Sequence, residues 1–270
     1  MRVITIANEK GGVAKTTTTV NLAAELASRG QRVLVVDLDK QAHSSHILWR
    51  SLQPGELGIA HLVSQAEAGA KASEVIIESS VPGVSLLPSG ESMAGVEILL
   101  APMFGREAVL RRALDCDAVR AFDYVLIDTS PTLGLMTINA FVATDYVLVP
   151  VSCDPLAAQG LASLSQSIER MKRGLEAKFQ LAGILLTKYD RRKAITAEVE
   201  SFIRNRFGDL VFPEVIGTNV RVEEAPGHQK TILDYEGRAG RGAKEYAQAT
   251  DELLRRIAIQ DATLTRTVAA

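Results

Sequence analysis

Cysteine, aromatic residues and long apolar runs are all scarce in this chain of 270 residues, and each scarcity excludes something. The two cysteines, Cys116 and Cys153, are too few and too far apart for a disulfide framework or a zinc knuckle. They are expected to be reduced thiols. Aromatics make up 5% of the residues, so the core has to be built from Ala, Val, Leu and Ile. No stretch approaches the ~18–20 uninterrupted apolar residues of a membrane span. The opening run Val3–Ala7 is too short for a secretory signal. A cytoplasmic protein is therefore expected. Neither charge sign dominates: 30 basic against 32 acidic residues leave a net charge of −2, which argues against a strongly basic nucleic-acid binder. His43, His46, His61 and His228 do not cluster at metal-ligand spacing.

The near-neutral sum hides an asymmetry. Residues 1–169 hold 12 Lys/Arg and 18 Asp/Glu, a balance of −6, whereas residues 170–270 hold 18 and 14, a balance of +4. Residues 170–206 alone carry ten basic residues against four acids. Such a segment can make sequence-independent phosphate contacts. Without interleaved aromatics or a recognition-helix motif, base readout is not expected.

Short apolar runs alternate with helical patterns. Val3–Ala7, Arg32–Val36, Val84–Leu87, Tyr124–Ile127, Tyr146–Val151 and Leu181–Thr187 read as strands. Helical spacing appears in Lys15–Ser28 and near 104–121, 134–143, 157–178, 193–206 and 242–258. Continuous apolar strands separated by helices predict a doubly wound, mostly parallel α/β sheet with helices on both faces. No linker interrupts the order, so residues 1–270 are expected to form one domain. Ligands of such sheets bind beyond the carboxyl ends of the strands.

The chemistry-bearing residues follow the strands. After the first comes Asn8-Glu9-Lys10-Gly11-Gly12-Val13-Ala14-Lys15-Thr16-Thr17, a glycine-rich turn opening a helix. Backbone N–H groups in such a turn curl around an anion, and the helix adds its positive dipole end. Lys15 is then placed for β- and γ-phosphates and the Thr16 hydroxyl for magnesium. The strict pattern G-x-x-x-x-G-K-S/T fails at Glu9 and Ala14. The second run ends in Asp37-Leu38-Asp39-Lys40-Gln41 and the fourth in Asp128-Thr129-Ser130-Pro131. Asp123, ahead of that fourth run, reads as a strand-entry residue.

The loop resembles the deviant Walker A motif, K-G-G-x-G-K-T-T, of the ParA/MinD family of P-loop ATPases, with Ala14 in place of a glycine. A positive φ at Ala14 costs about 1–2 kcal/mol. The resemblance implies ATP and Mg2+ as ligands, held by Lys10, Gly11, Gly12, Val13, Ala14, Lys15, Thr16 and Thr17. It also implies that Lys10 reaches the nucleotide of a partner subunit in an ATP-sandwiched homodimer. Asp37-Leu38-Asp39-Lys40-Gln41 is similar to the family's D-x-D-P-Q segment, with Lys40 replacing proline. Asp39 is thereby implied to orient the attacking water and Asp37 to support the magnesium shell. The segment ending in Asp128 resembles a Walker B strand, so Asp128 is implied as a magnesium ligand, directly or through water. Thr129–Gly134 corresponds to a switch that senses the γ-phosphate.

The later chain resembles the ParA/Soj branch. Thr187-Lys188-Tyr189-Asp190-Arg191-Arg192 is similar to T-x-Y-D-x-R. Val211–Ala225 is similar to V-F-x-T-x-I-P-x-N-V-R-x-x-E-A, with Gly217 in place of proline. The resemblance implies that Pro213 to Asn219 packs against adenine and that Arg191, Arg192 and Arg221 bind DNA. It implies a nucleoid-associated ATPase, stimulated by a ParB-like partner, that segregates DNA or positions a cargo. The chain starts at its first strand, so a helix-turn-helix region for operator repression is not expected. Two alternatives set other expectations. A MinD-like positioning ATPase requires a membrane-binding tail. Leu253–Ile259 is mildly amphipathic but reads as the continuation of a packed helix, so no stable membrane association is expected. An iron–sulfur ATPase of the nitrogenase iron-protein type requires a cysteine after Asp128, where Thr129-Ser130-Pro131 stands. Ala14 also leaves open a nucleotide binder that does not turn over.

Overall fold

The computed structural model describes residues 1–154, 166, 169 and 179–269. Eight strands form one sheet in the order β3-β4-β2-β5-β1-β6-β7-β8. They are β1 (Arg2–Ile6), β2 (Val33–Asp37), β3 (Ile77–Glu78), β4 (Val84–Leu87), β5 (Tyr124–Asp128), β6 (Tyr146–Ser152), β7 (Gln180–Tyr189) and β8 (Val211–Gly217). Only β3 pairs antiparallel, at one edge; every other neighbour is parallel.

The six predicted strands all form, because their β-branched runs are buried on both faces. Alternation along each strand sends side chains to opposite layers. Ile4, Ile6, Val33 and Val35 pack with the Lys15–Ser28 helix and the long Arg241–Ala269 helix. Val3, Leu34 and Val36 pack on the other face with Leu62, Leu110, Met136 and Ala140. A third cluster lies under β6, β7 and the Ala194–Phe207 helix, built from Val147, Ile184, Val199 and Ile203. Asp123 is the strand-entry residue expected, accepting a hydrogen bond from the Arg32 backbone at 2.8 Å.

Two expectations change and a third is not tested by the described residues. The helical pattern of 104–121 breaks into three short helices, Arg106–Ala108, Val109–Leu114 and Asp117–Arg120. Strands β3 and β8 went unpredicted, the first for its two-residue length and the second for its proline. Pro213 is tolerated because β8 is an edge strand, where no second neighbour needs its N–H. The expected helix at 157–178, and Arg170, Lys172, Arg173 and Lys178 of the basic run, lie outside the described residues.

The tail packs as expected. Leu253 and Ile257 are buried in the core, and Asp261 accepts a hydrogen bond from Tyr146 and pairs with Arg2 at 2.7 Å. From Ala243 to Ile257 the apolar stripe of the last helix is thus buried against the sheet. Among the described residues no helix is long and apolar enough to cross a membrane. Both cysteines are free, and burial pushes the Cys153 thiol up to about 12.

Candidate nucleotide site

Parallel strands deliver their loops to one end of the sheet, and the motif residues meet there. A cleft of about 770 Å³ opens beyond the carboxyl ends of β1, β2, β5 and β7. Gly11, Gly12, Ala14, Lys15, Thr16 and Thr17 form one wall, and Asp39, Lys40, Gln41 and His43 a second. Ser130–Thr132 and Met136 form a third, and Ile216–Asn219 close the far end.

The loop adopts the conformation its glycines permit. Gly12 has φ 72°, and Ala14 has φ 66° and ψ 32°, immediately before the helix begins at Lys15. Ala14 therefore carries the left-handed strain foreseen for it, about 1–2 kcal/mol. Ala42, with φ 53°, carries the same strain before the His43–Leu48 helix. Two strained alanines at one cleft are typical of a site held by its surroundings.

Lys15 is buried, and its Nζ donates to the Lys10 carbonyl at 3.2 Å. Desolvation lowers its pKa, against the attraction of Asp128 and Asp39. Beneath it, Asp37 and Asp128 are register partners at the ends of β2 and β5. Both are fully buried, and burial pushes both upward, helped for Asp37 by the charge of Asp128. Hydroxyl and amide donors oppose this. Ser44 Oγ donates to Asp128 Oδ2 at 2.7 Å, and Ser45 donates to Asp37 Oδ2 from both N and Oγ at 2.8 Å. Two adjacent carboxylates are a donor set suited to a hard divalent cation, which would relieve their repulsion.

The remaining predicted residues divide. Asp39 lines the cleft and accepts from the Gln41 backbone at 3.0 Å. Asn219 lines it too and caps the Val220–Glu224 helix, accepting from Arg221 N at 3.0 Å. Val13 is buried behind the loop, its carbonyl accepting from Thr187 Oγ1 at 3.1 Å. Pro213 is exposed on the edge strand, away from the cleft; Ile216–Asn219, three residues on, occupy the end it was expected to share. The strand runs past Pro213 before it turns into the site. Lys10 points to Asp154 of its own chain in an ion pair. Arg191, Arg192 and Arg221 are exposed, but Arg192 is tied to Asp190 through two 2.9 Å hydrogen bonds. That pairing holds the Asp190 carboxyl down to about 2. Cys116 and Cys153 lie outside the cleft walls.

Several contributors carried no sequence signal strong enough to single them out. Ser44 and Ser45 reach the two carboxylates because neighbouring helix residues diverge by about 100°. Glu97 accepts from Met136 N at 3.1 Å and so holds the start of the Leu135–Ala143 helix. A Cβ at Gly134 would lie 2.3 Å from its carboxylate, so a side chain there would push Glu97 aside.

Comparison with known proteins agrees with this geometry. A family model described as an AAA domain matches residues 1–181. The chain is 37% identical over 265 residues to the chromosome partitioning protein ParA of Caulobacter vibrioides, covering 95% of each. It is 38% identical over 253 residues to the sporulation initiation inhibitor protein Soj of Bacillus subtilis, covering 93% of this chain and 98% of that one. A solved structure of cobyrinic acid a,c-diamide synthase from Mycobacterium smegmatis, with bound ATP analog and magnesium, superposes with a TM-score of 0.79. Its sequence is 31% identical, and the match covers 94% of this chain and 95% of that one. The chain belongs to the ParA/Soj family of partition ATPases.

Proposed function

We propose that this chain is an ATP-driven partition switch. It binds ATP with Mg2+ in the cleft, pairs with a second copy across the nucleotide, and in that state binds DNA without sequence preference. A ParB-like partner stimulates hydrolysis and returns it to the single state. The observation that carries this reading is the convergence of Lys15, Thr16 and Asp39 over the buried Asp37–Asp128 pair, in a chain of the partition family. The ATP analog and magnesium of the Mycobacterium smegmatis protein support the same ligands here.

The roles follow from position. Backbone N–H groups of Gly11 to Lys15 and the start of the Lys15–Ser28 helix face the place of the phosphates. Lys15 neutralises β- and γ-oxygens, and its depressed pKa reflects the burial that strengthens that contact. Thr17 extends the loop into the first helical turn, and Ile216–Asn219 lie where a base can pack. Thr16, Asp37 and Asp128 would hold magnesium, which when bound neutralises charge developing on the phosphates. Asp39 orients the attacking water, since in-line attack asks little else of the protein. Lys10 exchanges Asp154 for the partner subunit's nucleotide; giving up a half-exposed ion pair costs about 0–1 kcal/mol.

Arg191, Arg192 and Arg221 supply phosphate contacts, and pairing two subunits doubles the number within one footprint. A ligand-driven change needs such differential contacts. Nucleoid association in the cytoplasm is the corresponding location. A gel-shift assay with a non-hydrolysed ATP analog tests the reading. Binding is expected only with the analog and should fall steeply with salt. DNA binding without nucleotide, or none at all, sinks it. Sedimentation with liposomes in ATP would instead support a MinD-like protein.

A further inference from the structure

Asp39 is held by a closed ring of hydrogen bonds, and the ring passes through a serine fifty residues away. The Asp39 N–H donates to Asp37 Oδ1 at 3.1 Å. Asp37 Oδ2 accepts from Ser45 Oγ at 2.8 Å. Ser45 Oγ accepts from Ser89 N at 2.8 Å, and Ser89 Oγ donates to the Asp39 carbonyl at 2.7 Å. Ser45, Ser89 and Asp37 are wholly buried, and Asp39 nearly so.

Every link is a good hydrogen bond in a place water does not reach, where such bonds are strongest and their loss is most expensive. The two groups that fix the peptide frame of Asp39, its N–H and its C=O, both take part in the ring, and the C=O also accepts from Ala42 N at 2.9 Å. Its carboxylate is left to accept from Gln41 N and to face the cleft. Ser89 sits just past the end of β4, and Ser45 on the first turns of the His43–Leu48 helix. The ring thus ties Asp39 to two elements outside its own loop.

We propose that Ser89, acting with Ser45, is a positioning residue for hydrolysis: it sets the orientation of Asp39 toward the attacking water. This rests on the ATPase reading above. Ser89→Ala removes one link and spares the others, because the Ser89 N–H still donates to Ser45. Misplacing a water-orienting group by a fraction of an ångström lowers turnover without weakening nucleotide binding.

The test has two readouts. In nucleotide-free protein, amide hydrogen exchange at Asp39 should be about tenfold faster in Ser89→Ala than in wild type. In hydrolysis assays kcat should fall about tenfold or more with KM for ATP nearly unchanged. Ser89→Thr, which keeps the hydroxyl, should recover most of the rate. In an Asp39→Ala background Ser89→Ala should cost nothing further, since residues acting as a unit are not additive. A wild-type kcat in Ser89→Ala, an equal loss in both backgrounds, or unchanged exchange at Asp39 overturns the proposal. If wild-type protein neither binds nor hydrolyses ATP, the ATPase reading fails, and the exchange measurement alone still decides whether Ser89 holds Asp39.

Discussion

The acidic and basic parts of this molecule are built in opposite ways. The carboxylates at the ends of β2 and β5 are buried, and each is held by named donors at 2.7–3.1 Å. The arginines of the candidate DNA face are exposed, and Arg192 is already bound to a neighbouring acid. Burial makes the first group rigid and sensitive to single atoms. Exposure leaves the second tolerant and screened by salt. A site that positions a water needs the former; a surface that must grip any DNA sequence is better served by the latter.

Substitutions should expose this contrast in graded steps. Lys15→Ala should abolish nucleotide binding, measured with a fluorescent ATP analog, because it removes the buried ammonium that faces Asp128 and Asp39. Asp39→Ala should keep ATP-dependent dimers on size exclusion yet slow hydrolysis by about 10²-fold or more. A rate equal to wild type would remove Asp39 from its assigned role.

On the basic side the effects should be smaller. Arg191→Ala should lower the salt slope of DNA binding by about one. Arg192→Ala should do less, because its guanidinium is occupied by Asp190. Equal losses at both positions would erase the difference between Arg191, whose guanidinium lies over the Tyr189 ring, and the ion-paired Arg192. The mildest effect is expected at Ala14→Gly, which relieves a φ of 66° and should stabilise the chain by about 1 kcal/mol, a melting-point rise of a few degrees. Thiol chemistry sharpens the same point about burial. Under native conditions Cys116 should react with a thiol reagent well before Cys153, whose thiol burial has pushed up to about 12.

The residues that could be read from the chain share one property: their role follows from local order. Val3–Ala7 and Tyr124–Ile127 announce strands because both faces are buried, and Gly11-Gly12 announces a turn that must curl. Even the strain at Ala14 was foreseeable, since a backbone position made for glycine imposes its φ on any occupant. Pro213 shows where local order fails. Its motif was recognisable, but the distance between Pro213 and the cleft is a matter of strand length and twist, which no spacing records. The broken 104–121 segment failed similarly: its apolar spacing is helical, yet the chain forms three short helices, the first two packed against the Leu135–Ala143 helix.

Sequence alone determined the sheet class, the glycine-rich loop after β1 and the three carboxylates at or just past the strand ends. It did so because hydrophobic period and glycine placement act over a few residues. Tertiary structure alone decided that Asp37 and Asp128 would be neighbours, that Lys10 would rest on Asp154, and that Ser89 would close a ring on Asp39. Those contacts join segments far apart in the chain. They exist only once the sheet order β4-β2-β5-β1-β6 has brought the loops to one end, where the buried groups among them must find their partners within the fold.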